Sequence, residues 1–443
     1  MNNVTDVSTP HPITLTQEEK NKIRSYRMDN AAVLFSFVVN KRATGMFRLS
    51  VTLKEPINVS ILQRALDRII ERFPYYRVNL RPGVFWYYWE TNLGKPKVMA
   101  DSKYPNQYMP IRKKGIFPFR VRAFQNRIAV EMNHAISDGT GALTLLRALT
   151  AEYLSQKGVQ TEDWGDLLRY GELPYDEEYE DAFKRYYQPL YPKQKLLEVA
   201  FQLPYKLEKK GVFHITTGSM PLKDILTKSK ELNVTLTEYL VANYLTVLQE
   251  ILYELPEKTQ KKVNKPIRLM VPVNLRRFYP SRTMRNFSLF VTPGIDPRLG
   301  YFTFDDILKT GYHYMRVEVN DRYISQQISR NVRGEIHPIM RATPLLFKRV
   351  GGRLIYSRMG EKLYSGTITN LGRITMPEEF SEKIEKFGFL PAPGPANKNS
   401  CAVVSFQDKL YMSFGRLIKE PIVERKFFRR LKKQGISVKI ETN

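Results

Sequence analysis

The sequence predicts a mixed α/β protein of the α+β two-layer sandwich type, organised as two domains. Its 443 residues exceed the ~250 to 300 residues at which a single core stops growing. Hydrophobic residues make up 42% and charged residues 26% of the chain, a globular composition with enough material for two cores. Apolar residues recur at both helix and strand spacing in each half, which favours helices packed on sheets.

The first domain is expected over residues 26–200, after a loose arm over residues 1–25 that is polar and contains proline. The segment Val59–Phe73 predicts an amphipathic helix, because its apolar residues lie three and four positions apart. Two strands joined across Gln125 and Asn126 predict a hairpin. In chain order, the predicted elements are strand Phe47–Leu53, helix Val59–Phe73, strands Tyr75–Leu80, Val84–Trp89, Phe117–Phe124 and Arg127–Asn133, and helix Gly141–Tyr153.

The second domain is expected over residues 201–443. Residues 158–212 carry several prolines and mixed charge, which is typical of a crossover between domains, and we place the boundary near residue 200. The predicted elements that follow are strand Phe213–Ser219, helices Leu222–Leu232 and Thr237–Leu252, strands Ile267–Val273 and Phe287–Thr292, helices Phe304–Gln327 and Pro338–Val350, strands Thr367–Asn370, Ser400–Phe406 and Lys409–Phe414, and helix Val423–Lys433.

The chain is strongly basic, with a net charge of +26 and a pI of about 9.8. Such a field attracts anionic partners. Because the Lys and Arg residues are dispersed and accompany no recognisable nucleic-acid-binding motif, nucleic acid is not expected. A phosphate-rich coenzyme, an acidic carrier protein and an anionic membrane surface all remain compatible with the charge.

The few cysteine and histidine residues limit the chemistry of the chain. Cys401 is the single cysteine, so an internal disulfide is excluded, and a reducing compartment fits. The other histidines lack the spacing of metal ligands, so no metal site is expected. The apolar stretch Ala31–Val39 is far shorter than the ~18 residues of a membrane span. We therefore expect a cytoplasmic protein, with peripheral membrane contact left open.

One segment has a pattern suited to catalysis. His134 ends an apolar strand, and a turn with Asp138, Gly139 and Gly141 leads from it into a helix. A neutral imidazole exposed by such a turn is suited to accept a proton from a hydroxyl, amine or thiol. The alternative is structural: His134 ends the strand and Asp138 caps the helix, which is a common use of Asp.

The order of strand, His-x-x-x-Asp-Gly and helix resembles the chloramphenicol acetyltransferase-like superfamily of acyltransferases. That superfamily includes alcohol acetyltransferases, wax ester synthases, plant BAHD acyltransferases and peptide-synthetase condensation domains. The resemblance covers most of the chain from about Phe47 onward. Further segments that resemble the family pattern are Arg72–Val78, Val271–Arg276, Arg285–Phe287 and Thr367–Gly372.

The resemblance implies two similar domains with a central tunnel and His134 as the general base at its centre. Donor and acceptor would reach His134 from opposite faces, and an acyl group would pass from a coenzyme A thioester to a hydroxyl or amine without a bound cofactor. By the same resemblance, Asp138 and Gly139 hold the turn and Arg276 pairs with Asp138. The residues expected near the substrates are Asn286, Ser365, Thr369 and Asn370, with Asn286, Ser365 and Thr369 as candidate oxyanion donors.

The sequence departs from the patterns of two subfamilies, which narrows the set of relatives it resembles. Condensation domains usually carry a second histidine before the catalytic one, where this chain has Asn133, and the Asp-Phe-Gly-Trp-Gly motif of BAHD enzymes is absent. Stand-alone bacterial alcohol acetyltransferases or lipid acyltransferases are therefore the favoured relatives. A condensation-type enzyme that takes its acyl group from a carrier protein, and a non-catalytic basic binding protein of the same fold, remain alternatives.

Overall fold

The protein is described here by a computed structural model that covers residues 24–189 and 197–443, with backbone alone for residues 38 and 353–359. The predicted arm over residues 1–25 lies outside the described residues except for its last two, and Ser25 already begins a strand. The elements of the first half are β1 (Ser25–Arg27), α1 (Asn30–Val38), β2 (Met46–Leu53), α2 (Val59–Ile69), β3 (Val78–Pro82), β4 (Tyr87–Thr91), β5 (Val98–Ala100), β6 (Phe119–Phe124), β7 (Arg127–Asn133), α3 (Gly139–Gln156) and α4 (Ala182–Arg185).

The second half follows a crossover and contains most of the helices. Its elements are β8 (His214–Pro221), α5 (Leu222–Glu231), α6 (Leu236–Tyr253), α7 (Glu257–Val263), β9 (Ile267–Asn274), β10 (Ser288–Val291), β11 (Gly294–Ile295), α8 (Phe304–Glu318), α9 (Asp321–Ile336), α10 (Pro338–Ala342), α11 (Leu345–Met359), β12 (Gly366–Ile374), α12 (Glu378–Ser381), β13 (Ile384–Leu390), β14 (Asn399–Phe406), β15 (Lys409–Arg416), α13 (Ile422–Lys433) and β16 (Lys439–Thr442).

Two large sheets confirm the predicted mixed α/β class. The first is five-stranded in the order β13-β2-β7-β6-β5, and the second is eight-stranded in the order β10-β9-β12-β14-β15-β8-β16, with β11 beside β9. A separate three-stranded sheet has the order β1-β4-β3. The side chains of α2 and α3 share one buried core with the first sheet, and those of α6 and α13 share another with the second.

The strand β13 departs from a simple division of the chain at residue 200. It comes from the second half but pairs with β2 of the first sheet, with Phe387 opposite Val51 and Phe389 opposite Leu49. Its alternating buried residues, including Phe387, enter the first core. The boundary near residue 200 stays a prediction, but the first sheet is completed by residues 384–390.

Several predicted elements were wrong in their extent. The helix expected over Phe304–Gln327 is two helices. Asn320 caps the start of the second one, since its side chain accepts a hydrogen bond from the Tyr323 N–H. The helix near Pro338–Val350 is also divided in two, at Pro344. Proline lacks the N–H that a helix interior needs, which accounts for that break. The strand expected from Val84 begins only at Tyr87.

Candidate active site

His134 lies directly after β7, and backbone hydrogen bonds fix its position. Its N–H donates to the Gly45 carbonyl at 2.8 Å, and the Asn133 side chain donates to the Thr44 carbonyl at 3.3 Å. Gly45 has a φ of +62°, a left-handed conformation that glycine adopts without a steric penalty. The loop before β2 therefore anchors the end of β7.

Aromatic rings flank the half-buried imidazole of His134. Phe35 of α1 stacks on it with 4.9 Å between ring centroids and 15° between ring planes. Phe47 of β2 lies on it at 4.3 Å, and Phe389 of β13 packs against Phe47 edge-on. The imidazole therefore sits among apolar groups from both halves of the chain.

These surroundings keep the imidazole neutral. Burial lowers the pKa of His134 from 6.5 to about 4, against the opposing effects of the Asp138 carboxylate, the Asn286 side chain and the Ser137 backbone. Removal from water disfavours the charged imidazolium, and the nearby carboxylate compensates only in part. At physiological pH the ring is therefore able to accept a proton.

Asp138 joins the two halves of the protein. One carboxylate oxygen accepts from the N–H groups of Thr140 and Gly141 at 3.1 and 3.2 Å and so caps α3. The other accepts from Arg276 Nη1 at 2.8 Å and from the Phe287 N–H at 2.9 Å. The Asp138 side chain thus makes both contacts. It caps the helix, as the structural alternative predicted, and it forms the ion pair with Arg276 that the resemblance implies.

The Arg276 guanidinium has a dense set of acceptors. Besides Asp138, it donates to the carbonyls of Thr283 and Arg285, each at 2.8 Å. Such fixed acceptors hold the planar guanidinium in one orientation. The loop before β10 is thereby fastened to the start of α3.

Close packing at the first turn of α3 requires Gly141. A Cβ atom on Gly141 would lie 2.2 Å from Ser137 Oγ, 2.5 Å from the Tyr76 hydroxyl and 2.7 Å from the Met284 carbonyl oxygen. Both hydroxyls make hydrogen bonds there: Ser137 Oγ donates to the Met284 carbonyl at 2.6 Å, and the Tyr76 hydroxyl lies 3.0 Å from Ser137 Oγ. These hydrogen bonds fix the turn after His134 against Tyr76 and Met284.

Asn286 contacts His134. Its side-chain nitrogen donates to the His134 carbonyl at 2.9 Å and lies 3.5 Å from Asp29 Oδ2. Asp29 is buried, and burial with the nearby Asp181 carboxylate raises its pKa from 3.8 to about 7. Asn286 thus holds the backbone of His134 through its amide nitrogen, and its expected contact with the substrates stays a prediction.

Three residues expected to contact the substrates lie on or just before β12. Asn370 donates to Thr237 Oγ1 at 3.1 Å, and the next residue, Leu371, lies against Gly139. Thr369 is half-buried, and its hydroxyl makes no hydrogen bond within residues 24–189 and 197–443. Ser365, just before β12, accepts a hydrogen bond from the Arg268 N–H at 3.3 Å through its hydroxyl. The expected contacts of all three residues with the substrates stay predictions.

Sequence reasoning missed Phe35 and Asp29. The apolar stretch around Phe35 was weighed only as a membrane span, and it forms the helix α1. A signal was available, because Asp29 stands before the stretch as an N-cap and accepts from the Ala32 N–H at 2.8 Å. An Asp before an apolar run of eight to ten residues is a helix start signal.

A cavity of about 220 Å³ opens between the two halves. Its walls include Thr44, whose carbonyl accepts from Asn133, the residue before His134. Four basic side chains line it: Lys41 and Arg42 from the loop before β2, and Lys209 and Lys210 from the crossover. Within the ranges that the structure describes, no group of three or more His, Cys, Asp or Glu residues could hold a metal ion, and no helix is long and apolar enough to cross a membrane.

Comparison of sequences yields neither a matching family model nor a matching curated protein. Solved structures do match. TRI101 from F. graminearum, complexed with coenzyme A and T-2 mycotoxin, is 9% identical with a TM-score of 0.58 over 93% of this chain and 97% of its own. The chain has the chloramphenicol acetyltransferase-like fold.

Two further structures share the chloramphenicol acetyltransferase-like fold. The trichothecene 15-O-acetyltransferase TRI3 from Fusarium sporotrichioides is 11% identical, with a TM-score of 0.58 over 93% of this chain and 94% of its own. The first condensation domain of the CDA synthetase is 11% identical, with a TM-score of 0.55 over 92% and 95%. The fold predicted from the motif segments is thus confirmed over nearly the whole chain.

Proposed function

We propose that the protein is an acyltransferase that moves an acyl group from a coenzyme A thioester to a hydroxyl or amine, with His134 as general base. The observation that carries this proposal is the neutral, half-buried imidazole at the start of the Asp138 turn. The solved structures of the same fold that hold coenzyme A support the choice of donor.

In this proposal the reaction needs no covalent enzyme intermediate. The imidazole takes the proton of the acceptor, and the acceptor oxygen or nitrogen attacks the thioester carbonyl. The carbon–sulfur bond then breaks, and the departing thiolate takes the proton from the imidazolium. In this proposal Asp138, Arg276 and Asn286 position His134. The candidates for substrate contact stay Asn286, Ser365, Thr369 and Asn370.

The basic cavity between the halves supports an anionic donor. Lys41, Arg42, Lys209 and Lys210 would attract the phosphates of coenzyme A. The proposal requires a passage from this cavity to the imidazole, which would be the expected tunnel. The cytoplasmic location also stays a prediction.

The second candidate donor is an acylated carrier protein. An acidic carrier would also be attracted by the positive charge at this cavity. The two donors are separated by offering acetyl-coenzyme A or an acetylated carrier protein with an alcohol, and by measuring free thiol and the ester formed. Ester from free acetyl-coenzyme A supports the first candidate. Ester from the carrier alone supports the second, and ester from neither favours a non-catalytic binding protein.

A further inference from the structure

The helices α10 and α11 carry large apolar side chains that face solvent. Ile339 is 73% exposed and Phe347 is 67% exposed, although removing such apolar side chains from water is favourable. We call the surface they belong to the apolar platform. Its members are Val84, Ile339, Met340, Leu346, Phe347 and Val350.

The platform lies on the outward face of α11. Leu345 and Lys348 are buried on the opposite face, and a Cβ on Gly352 would lie 3.1 Å from the Phe37 ring of α1. Because side chains three and four positions apart share a helix face, Leu346, Phe347 and Val350 stand together. The exposed apolar residues therefore form a face and are not scattered.

A second segment extends this face. The Leu345 N–H donates to the Val84 carbonyl at 2.9 Å, and Lys348 Nζ donates to the Phe85 carbonyl at 2.9 Å. Lys348 Nζ also lies 3.4 Å from the centre of the Trp86 ring. The turn before β4 is thus fixed beside α11, and it presents Val84, which is 73% exposed.

The charge around the platform has a single sign. Residues 337–352 contain the exposed Arg341 and the half-buried Arg349 but no Asp or Glu, in a chain of net charge +26. An apolar helix face flanked by basic residues is typical of segments that lie on anionic lipid surfaces. The other basic helix, α13, differs because its Phe427, Phe428 and Leu431 are buried in the core.

We propose that the apolar platform seats the protein on a membrane that contains anionic lipid. A symmetric contact with a second copy would bring like charges together in a segment without acidic residues, which is unfavourable. The platform helix α11 packs on α1, and α1 carries the Phe35 ring that stacks on His134. Membrane binding would therefore place the lipid surface one helix away from the candidate active site.

The test uses the full chain with vesicles of phosphatidylcholine alone or with 30% phosphatidylglycerol. We expect sedimentation with the anionic vesicles and at least a tenfold loss of binding in the variant Ile339→Ser/Leu346→Ser/Phe347→Ser. The matched control is Leu299→Ser/Val317→Ser, which changes residues that are 81% and 64% exposed elsewhere and should bind as the wild type does. Emission of Trp86 should shift to shorter wavelength on binding, and Trp86→Phe identifies that signal.

Three results would overturn the proposal. The first is a wild-type protein that does not sediment with anionic vesicles, and the second is a platform variant that binds them as well as the control does. The third is a wild-type dimer in sedimentation equilibrium that the platform substitutions dissociate, with no binding to either kind of vesicle. Since vesicle binding does not require catalysis, His134→Ala should bind as the wild type does, so failure of the proposed acyl transfer remains distinguishable.

Discussion

At the residue scale, the protonation state of His134 is the property on which the chemistry depends. Because burial lowers its pKa to about 4, the imidazole should stay neutral throughout the range from pH 5 to 8. We predict that its ring resonances, assigned by comparison with His134→Ala, titrate near pH 4 in a nuclear magnetic resonance experiment. The exposed His313 lies far from this site in the sequence, and His313→Ala is the control for assigning the resonances. A midpoint for His134 near 6.5 would show that the ring is solvated.

The lowered pKa of His134 also makes the free energy of unfolding depend on pH, because proton binding and folding are linked. The folded state binds a proton to His134 less readily than the unfolded state, so stability is lost as pH falls from 6.5 to about 4. Asp29 acts in the opposite direction. Its folded pKa is raised to about 7, so its contribution is lost as pH rises from 3.8 to about 7.

At the element scale, the ion pair between Asp138 and Arg276 connects α3 to the segment after β9. We predict that Asp138→Ala or Arg276→Ala lowers the free energy of unfolding by ~3 to 5 kcal/mol, because each leaves a buried charge without its partner. Together they should cost less than the sum, by roughly 1 to 3 kcal/mol. Urea unfolding measures this, and Lys261→Ala, which breaks a pair with Glu257 whose two side chains are 76% and 77% exposed, should cost under ~1 kcal/mol. Additive costs would mean that the pair is not coupled.

A second prediction at the element scale concerns the packing around Gly141. Gly141→Ala should destabilise the protein by ~1 to 3 kcal/mol, because its Cβ would meet the Met284 carbonyl oxygen and two hydroxyls. Gly334→Ala in α9 is the matched control. No atom lies within 4 Å of its added Cβ, so the better helix propensity of alanine should stabilise α9 by ~0.5 to 1 kcal/mol. Thermal or urea unfolding of both variants compares them, and equal stability would refute the close packing.

Local pattern predicted some elements well and others poorly, for physical reasons. The apolar spacing of α2 and the hairpin of β6 and β7 are local signals, and both elements formed where expected. The strand β13 was missed, since its place beside β2 depends on a pairing across more than three hundred residues. Phe387 and Phe389 alternate with Lys386 and Gly388 in the sequence, but nothing local indicates which sheet this strand joins.

At the scale of the whole molecule, β13 makes the two halves interdependent. Its pairing with β2 places residues of the second half in the first core, so we predict one cooperative unfolding transition. All three Trp residues, at positions 86, 89 and 164, lie in the first half, and their fluorescence in urea reports that half. Hydrogen exchange of amides in α6 reports the other. Separate midpoints for the two signals would show that the halves unfold independently.

The candidate site was predictable only in part, for the same reason. The His-x-x-x-Asp-Gly segment indicated His134, Asp138 and Gly139 from a single turn. The position of Arg276 was inferred from a resemblance, and its contact with Asp138 depends on how the halves pack. The stacking of Phe35 and the hydrogen bond from Asn286 also arise only from tertiary structure, so the sequence could not distinguish a positioning role from substrate contact.

The central claim is that His134 removes a proton from the acceptor, and initial rates of acyl transfer test it most directly. Purified wild type, His134→Ala and the surface control His313→Ala are given acetyl-coenzyme A with 1-propanol or 1-octanol, and thiol release and ester are measured together. Loss of a general base typically costs 10²- to 10⁴-fold, so we predict that His134→Ala forms ester at least a hundredfold more slowly while His313→Ala keeps the wild-type rate. Ester formed by His134→Ala at the wild-type rate would contradict the account.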